Sequence, residues 1–225
     1  MLPPRDGDAG QAAPLYVAVV VGILALALAF FAVGQAGATR NGAQSGADAA
    51  ALAAAMDSRD QFGVELAGRL TDADFLEQLF DGEILGDPGD GCPAAHALAE
   101  SNGTVVVPGS CQALGGDRWG YTVTVRSQEP VGDTILPGTE SETAKATATA
   151  VVMPRCTFEA PDEEPPPDSG EGEEAEPTPP TPSSSDEPIL AGVLFCDGEE
   201  FPLDPDSPDP LPDMSELFTV RLAED

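Results

Sequence analysis

The sequence predicts an α+β protein: a long N-terminal transmembrane helix followed by a small antiparallel-sheet domain that carries a disordered, acidic, Pro-rich insertion. Three observations predict it. Leu15 to Gly34 reads LYVAVVVGILALALAFFAVG, twenty residues without a charge. Short stretches such as Tyr121-Thr122-Val123-Thr124-Val125-Arg126 alternate with the period of a strand. From Glu159 to Pro188 periodicity gives way to proline, serine and acid side chains, a composition that buries too little apolar surface to offset the entropy of ordering.

The elements follow in order. Residues 1–14 form a short N-terminus, expected on the cytoplasmic side. Residues 15–34 span about 30 Å as a helix, the thickness of a bilayer core. Side chains apolar all around so long a helix need lipid or a large protein about them, and a chain with 5% aromatic residues lacks that bulk. A cleaved signal peptide is the rival reading, because Ala36-Gly37-Ala38 has the small-x-small form of a cleavage site. Against it, the apolar run exceeds an h-region of about 7 to 15 residues, and Arg5 is outnumbered by Asp6 and Asp8. Retention of the helix as an anchor is expected.

Residues 35–56 should extend the helix beyond the membrane, since alanine has the best helix propensity and no proline intervenes before Pro88. Gly42 and Gly46 stand in a G-x-x-x-G spacing that permits close helix packing, a route to homo- or hetero-oligomers. Residues 57–158 are read as an extracytoplasmic α+β domain. Within it, Phe62, Leu66, Leu70, Phe75, Leu76, Leu79 and Phe80 fall at roughly helical spacing, Asp81-Gly82 ends that pattern, and a short helix is expected near 94–100. Strands are predicted at Thr104–Val107, Tyr121–Arg126 and Thr143–Val152. Residues 159–188 are the acidic excursion, and 189–225 a C-terminal strand segment in which 189–195 and 217–222 return as edge strands.

Four cysteines, Cys92, Cys111, Cys156 and Cys196, all follow the apolar helix. An even count in a core-poor domain points to two disulfides in an oxidising compartment, which puts the C-terminal part outside. Three pairings are open, and proximity favours Cys92 with Cys111 and Cys156 with Cys196. Zinc is the other use of such cysteines, but there is no C-x-x-C pair and the one histidine is His96.

Forty acidic residues face nine basic ones, for a formal net charge of -31. The cations are scattered singly, as at Arg40, Arg59, Arg69, Arg118 and Arg126, so no basic patch exists to neutralise phosphates and nucleic acid is not an expected partner. No catalytic motif, P-loop, dinucleotide fingerprint or H-E-x-x-H is present. No enzyme activity and no cofactor are expected. Acid runs at Asp87-Pro88-Gly89-Asp90 and Asp204-Pro205-Asp206-Ser207-Pro208-Asp209 invite a calcium hypothesis, yet neither has EF-hand spacing. Asn102-Gly103-Thr104 fits a glycosylation sequon.

The stretch DGDAGQAAPLYVAVVVGILALALAFFAVGQAGATRNGAQSGADAAALAAA resembles the N-terminal region of TadE/TadG-like proteins, pilin-like components of tight-adherence (Tad, Flp-type) pilus systems. The likeness lies in the small-residue approach Gly7 to Ala13 into the apolar helix, and in Gln44 with the segment Ala47 to Ala55. It implies a pilin-like architecture, insertion in membrane lipid through this helix, and partners among other pilus-assembly or pilin-like proteins. Processed pilin-like proteins carry a Gly before the cut and a Glu five residues after it. Here Gly10 is followed by Gln11 and the fifth position is Leu15, so an uncut N-terminus is expected. The alternative reading is an anchored or secreted acidic module that binds a partner or spaces a domain through the envelope.

Overall fold

The computed structural model of the chain describes residues 12–82, 89–116, 118–130, 141–161, 191–207 and 211–223. The elements run α1 (Ala12–Ala67), α2 (Ala73–Phe80), α3 (Cys92–Ser101), β1 (Thr104–Ala113), β2 (Gly120–Ser127), β3 (Lys145–Pro154), β4 (Cys156–Glu159), β5 (Gly192–Cys196), β6 (Glu199–Leu203), α4 (Met214–Leu217) and β7 (Phe218–Leu222). The fold is α+β, with a long apolar N-terminal helix ahead of antiparallel sheets. In place of the single modest sheet expected there are two, of strand order β1-β2-β3-β7 and β4-β5-β6. The chain forms two compact units, the first from Met1–Ala53, Cys92–Gln112 and Thr122–Thr149, the second from Ala54–Gly91, Ala113–Tyr121 and Ala150–Asp225.

In the first unit the core is built from small side chains. Ala43, Ala47, Ala50 and Ala51 of α1 are buried, as are Ala95 and Ala99 of α3 and Val123, Val125 and Ala148 of the strands. Alanine on a helix lets backbones approach closely, at the cost of little apolar area per residue. Gly46 takes this furthest, because a Cβ there would meet the side chain of Thr104. Thr104 is itself buried, and its hydroxyl donates to the Ala99 carbonyl at 3.0 Å, so the polar atom is satisfied. On the opposite face of β2 and β3, Thr122 pairs with Thr149 at 2.9 Å and Thr124 with Thr147 at 2.8 Å. That descending-against-ascending order is the register of an antiparallel pair. The disulfide Cys92–Cys111, with Cα atoms 5.9 Å apart, ties the start of α3 to β1.

The second unit carries the large side chains. Phe62 packs edge-on to Trp119 at 5.0 Å between ring centroids, and Phe218 lies 5.2 Å from Trp119 and 5.6 Å from Phe80. Trp119 is the only tryptophan in the chain, and its buried Nε1–H donates to the Ser58 hydroxyl at 2.9 Å, which accounts for a serine with no exposure on α1. The Tyr121 hydroxyl donates to the Gly89 carbonyl at 2.7 Å and accepts from the Gly91 N–H at 3.1 Å, fixing the segment that leads into α3. Gly91 has to be glycine there, because a Cβ would collide with the Ala54 carbonyl.

The apolar run from Phe62 to Phe80, expected as one amphipathic helix, is divided between two. Phe62 and Leu66 close α1, Leu70 sits in the turn, and Phe75 to Phe80 lie on α2. Asp72 causes the division. It leaves the helical region with φ -97° and ψ 85°, and its carboxylate accepts from the Phe75 N–H at 3.1 Å, capping α2. Arg69 reinforces the cap, donating to Asp72 at 2.9 Å with its guanidinium 3.5 Å from the centre of the Phe75 ring. The Arg69 hydrogen bond, followed by the Phe75 N–H, holds the Asp72 carboxyl below its ordinary value of 3.8. A lowered folded-state pKa stabilises above the unfolded value and loses that contribution as pH falls through the folded one. Asp72→Asn is therefore expected to flatten the acid limb of stability against pH, its curve converging with that of the unaltered chain below about pH 4. Thermal melts over an acid series check this.

The second sheet accounts for the C-terminal segment. Expected at an edge, β5 is instead central, paired antiparallel to β4 (Cys156↔Cys196 to Glu159↔Val193) and to β6 (Gly192↔Leu203 to Cys196↔Glu199). The strand β6 contains Pro202 and takes the edge, where a missing N–H costs no ladder bond. The turn between β5 and β6 is Asp197-Gly198, both at positive φ (51° and 92°), the two-residue hairpin whose twist matches that of the strands. Cys156 and Cys196 are register partners, and a disulfide joins them with Cα atoms 4.2 Å apart. β7 is an edge strand, antiparallel to β3 from Ala150↔Leu222 to Pro154↔Phe218. The acidic excursion assigned to residues 159–188 lies outside the described residues from 162 on, and Glu159 and Val193 on either side of it are register partners.

Candidate membrane anchor

The helix α1 has two halves of opposite character. From Ala13 to Gly42 no residue is buried, and the large side chains stand out in all directions, Leu15 at 69%, Phe30 at 77% and Val33 at 71% exposed. No charged residue occurs between Ala12 and Thr39. From Ala43 onward a single stripe is buried, at Ala43, Ala47, Ala50, Ala54, Ser58, Phe62 and Leu66, the three-to-four spacing of a helix with one covered face. The first half has a mean hydropathy of 2.8 over its most apolar eighteen-residue window with none of it buried, and among the described residues it belongs to the one helix long and apolar enough to cross a membrane.

Leaving so long an apolar helix in water forfeits about 25 cal/mol for each Å² of apolar area left uncovered. Lipid covers such a surface, and an α-helix enters lipid with its backbone polar groups satisfied internally. Pro14 lies in the first turn, where its missing N–H removes no helical hydrogen bond. At the other end Thr39 returns its hydroxyl to the Gln35 carbonyl at 3.2 Å, which removes a polar group from competition at the exit of the apolar half, and Arg40 follows.

The two glycines singled out for helix packing fall on different sides of this boundary. Gly42 is exposed with nothing within 4 Å of where a Cβ would be, whereas Gly46 is buried against Thr104. The G-x-x-x-G spacing is thus shared between an intramolecular contact and an open position. The four cysteines are joined as Cys92–Cys111 and Cys156–Cys196, and none is free. His96 is exposed on α3. Among the described residues no group of three or more His, Cys, Asp or Glu is placed to hold a metal ion. Of the two acid runs, residues 87–88 and 208–209 lie outside the described residues. In the sequon, Asn102 is exposed but the Thr104 hydroxyl is buried and engaged with Ala99.

The boundary within α1 falls inside a segment that matches a family model. Residues 10–57 match the family model described as putative Flp pilus-assembly TadE/G-like. The TadE/G-like segment takes in the whole apolar half of α1 and the alanine stripe through Ala55, and it ends before the aromatic residues of the second unit begin at Phe62. No curated protein matches the chain, and no solved structure matches it. The similarity to the TadE/G-like family is thus confined to residues 10–57, the region that holds, among the described residues, the one apolar helix of membrane-spanning length.

Proposed function

We propose that the chain is a structural or assembly component of a Tad/Flp pilus-like envelope system, held in the membrane by the first half of α1, with the residues that follow it, both disulfides included, on the outer side. The observation that carries this reading is the change of α1 from unburied on every face to buried along one stripe at Ala43, inside the segment that matches the pilus-assembly family. A helix with these two halves is a tether continuous with a folded head. Two disulfides in a chain whose described residues hold no free cysteine support an oxidising compartment for that head. In this reading residues 15–34 span the bilayer, 35–56 carry the helix out of it, and 57–225 form the exterior part. Gly42, open at the exit from the lipid, is the position at which a second helix approaches, from another copy or from a pilin-like partner.

Fusions at the C-terminus test the orientation. Alkaline phosphatase fused there is expected to be active and a cytosolic fluorescent reporter dark, and the reverse pair would overturn the outward placement. The charge of -31 favours a second reading, an anchored acidic module that engages a basic partner or spaces the head through the envelope. Co-purification with pilin-like proteins from solubilised membranes supports the first reading, and their absence beside a basic surface protein supports the second.

A further inference from the structure

The second unit contains a cavity of about 550 Å³, in the range of small-ligand and peptide-anchor sites. Its exposed apolar wall is Met153 and Leu222, backed by the buried Leu79, Trp119 and Phe218, and its polar lining includes Arg118 and Arg221. The two guanidiniums are unexpected on charge alone, since the chain has nine basic residues against forty acidic ones. Arg59, Arg69 and Arg155 each pair with a carboxylate. Arg118 and Arg221 pair with none among the described residues, although Asp81 lines the same cavity. The positions that bring them there are ordinary strand geometry. The Trp119 carbonyl accepts the Val152 N–H at 2.9 Å, so Arg118 precedes β2 beside the end of β3, and Arg221 is opposite Val151 in the β3–β7 register.

We propose that this cavity receives an acidic peptide segment of another protein, with one bulky apolar side chain seated against the exposed Met153 and Leu222 and its flanking carboxylates on Arg118 and Arg221. Planar guanidiniums take carboxylates in two parallel hydrogen bonds, and an adjoining apolar wall rewards a side chain that leaves water. The net charge of the chain repels anions at long range, so the site selects a partner that is acidic locally and holds its place by contact. This inference is independent of the membrane anchor and stands or falls separately from it.

The test uses the full chain in detergent and a short acetylated, amidated peptide of Glu and Asp around a central Phe. Because Trp119 is the only tryptophan and lies just behind the exposed wall of the cavity, its emission reports a change of surroundings on occupancy. Titration is expected to shift Trp119 emission with saturation, to weaken with added salt, and to lose roughly tenfold or more in affinity in Arg118→Gln/Arg221→Gln. The charge-reversed pair Arg118→Glu/Arg221→Glu is expected to prefer the same peptide with Lys in place of its acids. Absence of any Trp119 response with no heat of binding at millimolar peptide overturns the proposal. So does binding unaffected by Arg118→Gln/Arg221→Gln, equal binding of the lysine peptide by the unaltered chain, or protection of the cavity only through self-association of the chain.

Discussion

Replacing Phe218 by alanine is expected to cost the second unit about 3 to 5 kcal/mol, the range for removing a fully buried aromatic side chain from a core. Phe218 is 1% exposed and touches three other rings, Phe62 at 6.3 Å, Phe80 at 5.6 Å and Trp119 at 5.2 Å. It lies at the start of β7, opposite Pro154, so its loss also loosens the pairing of that edge strand. The effect is large because the chain has few bulky side chains to spread it over: nine phenylalanines, two tyrosines and one tryptophan in 225 residues. Against a typical total of about 5 to 15 kcal/mol, that is a large share of the margin. Denaturant unfolding followed by Trp119 emission measures it, and a loss below about 1 kcal/mol would show that this cluster does not hold the unit together.

The second large effect concerns the disulfides. Cys156 and Cys196 are 40 residues apart in sequence and Cys92 and Cys111 only 19. The chain-entropy model gives about 4 kcal/mol for the longer loop and about 3 kcal/mol for the shorter. Replacing Cys156 and Cys196 together by serine is expected to destabilise more than replacing Cys92 and Cys111 together. The difference has a structural reason as well, since the longer loop includes the whole excursion between β4 and β5, and without the cross-link those strands must close it through ladder bonds and the buried Leu194 alone. Thermal melts of the two double variants in parallel decide it, and a reversed order would mean that β4 and β5 pair firmly without the bond.

The elements that can be read from the chain are those whose pattern is local. The uncharged run from Leu15 needs no tertiary context, and strict alternation in Tyr121–Arg126 and in the small-residue strand ending at Val152 marks β2 and β3 within a few residues. Even so, α1 runs on to Ala67, because no proline stands between Met56 and Gly68 to stop it; the break is legible at Asp72, a cap residue three positions ahead of Phe75. The β5–β6 hairpin is also legible, although the sequence reading does not include it. Asp197-Gly198 between Val193–Cys196 and Glu199–Leu203 is a strong short-range hairpin signal, masked by the two glutamates that open β6.

What cannot be read depends on distant neighbours. Gly46 looks like half of a helix-packing motif until Thr104, far along the chain, is placed against it. Ser58 reads as a surface serine on an alanine-rich helix, and only the Trp119 indole makes it a buried acceptor. The cavity beside Trp119 joins residues of α2, β3, β7 and the approach to β2, none of which carries a local motif.

A retained anchor requires the first half of α1 to lie across lipid, and alkaline carbonate extraction of membranes that contain the full chain tests this most directly. The chain is expected to stay with the membrane pellet at its full mass, and to leave it only when detergent dissolves the bilayer. Release into the carbonate supernatant, or a head recovered without residues 15–34, would contradict it.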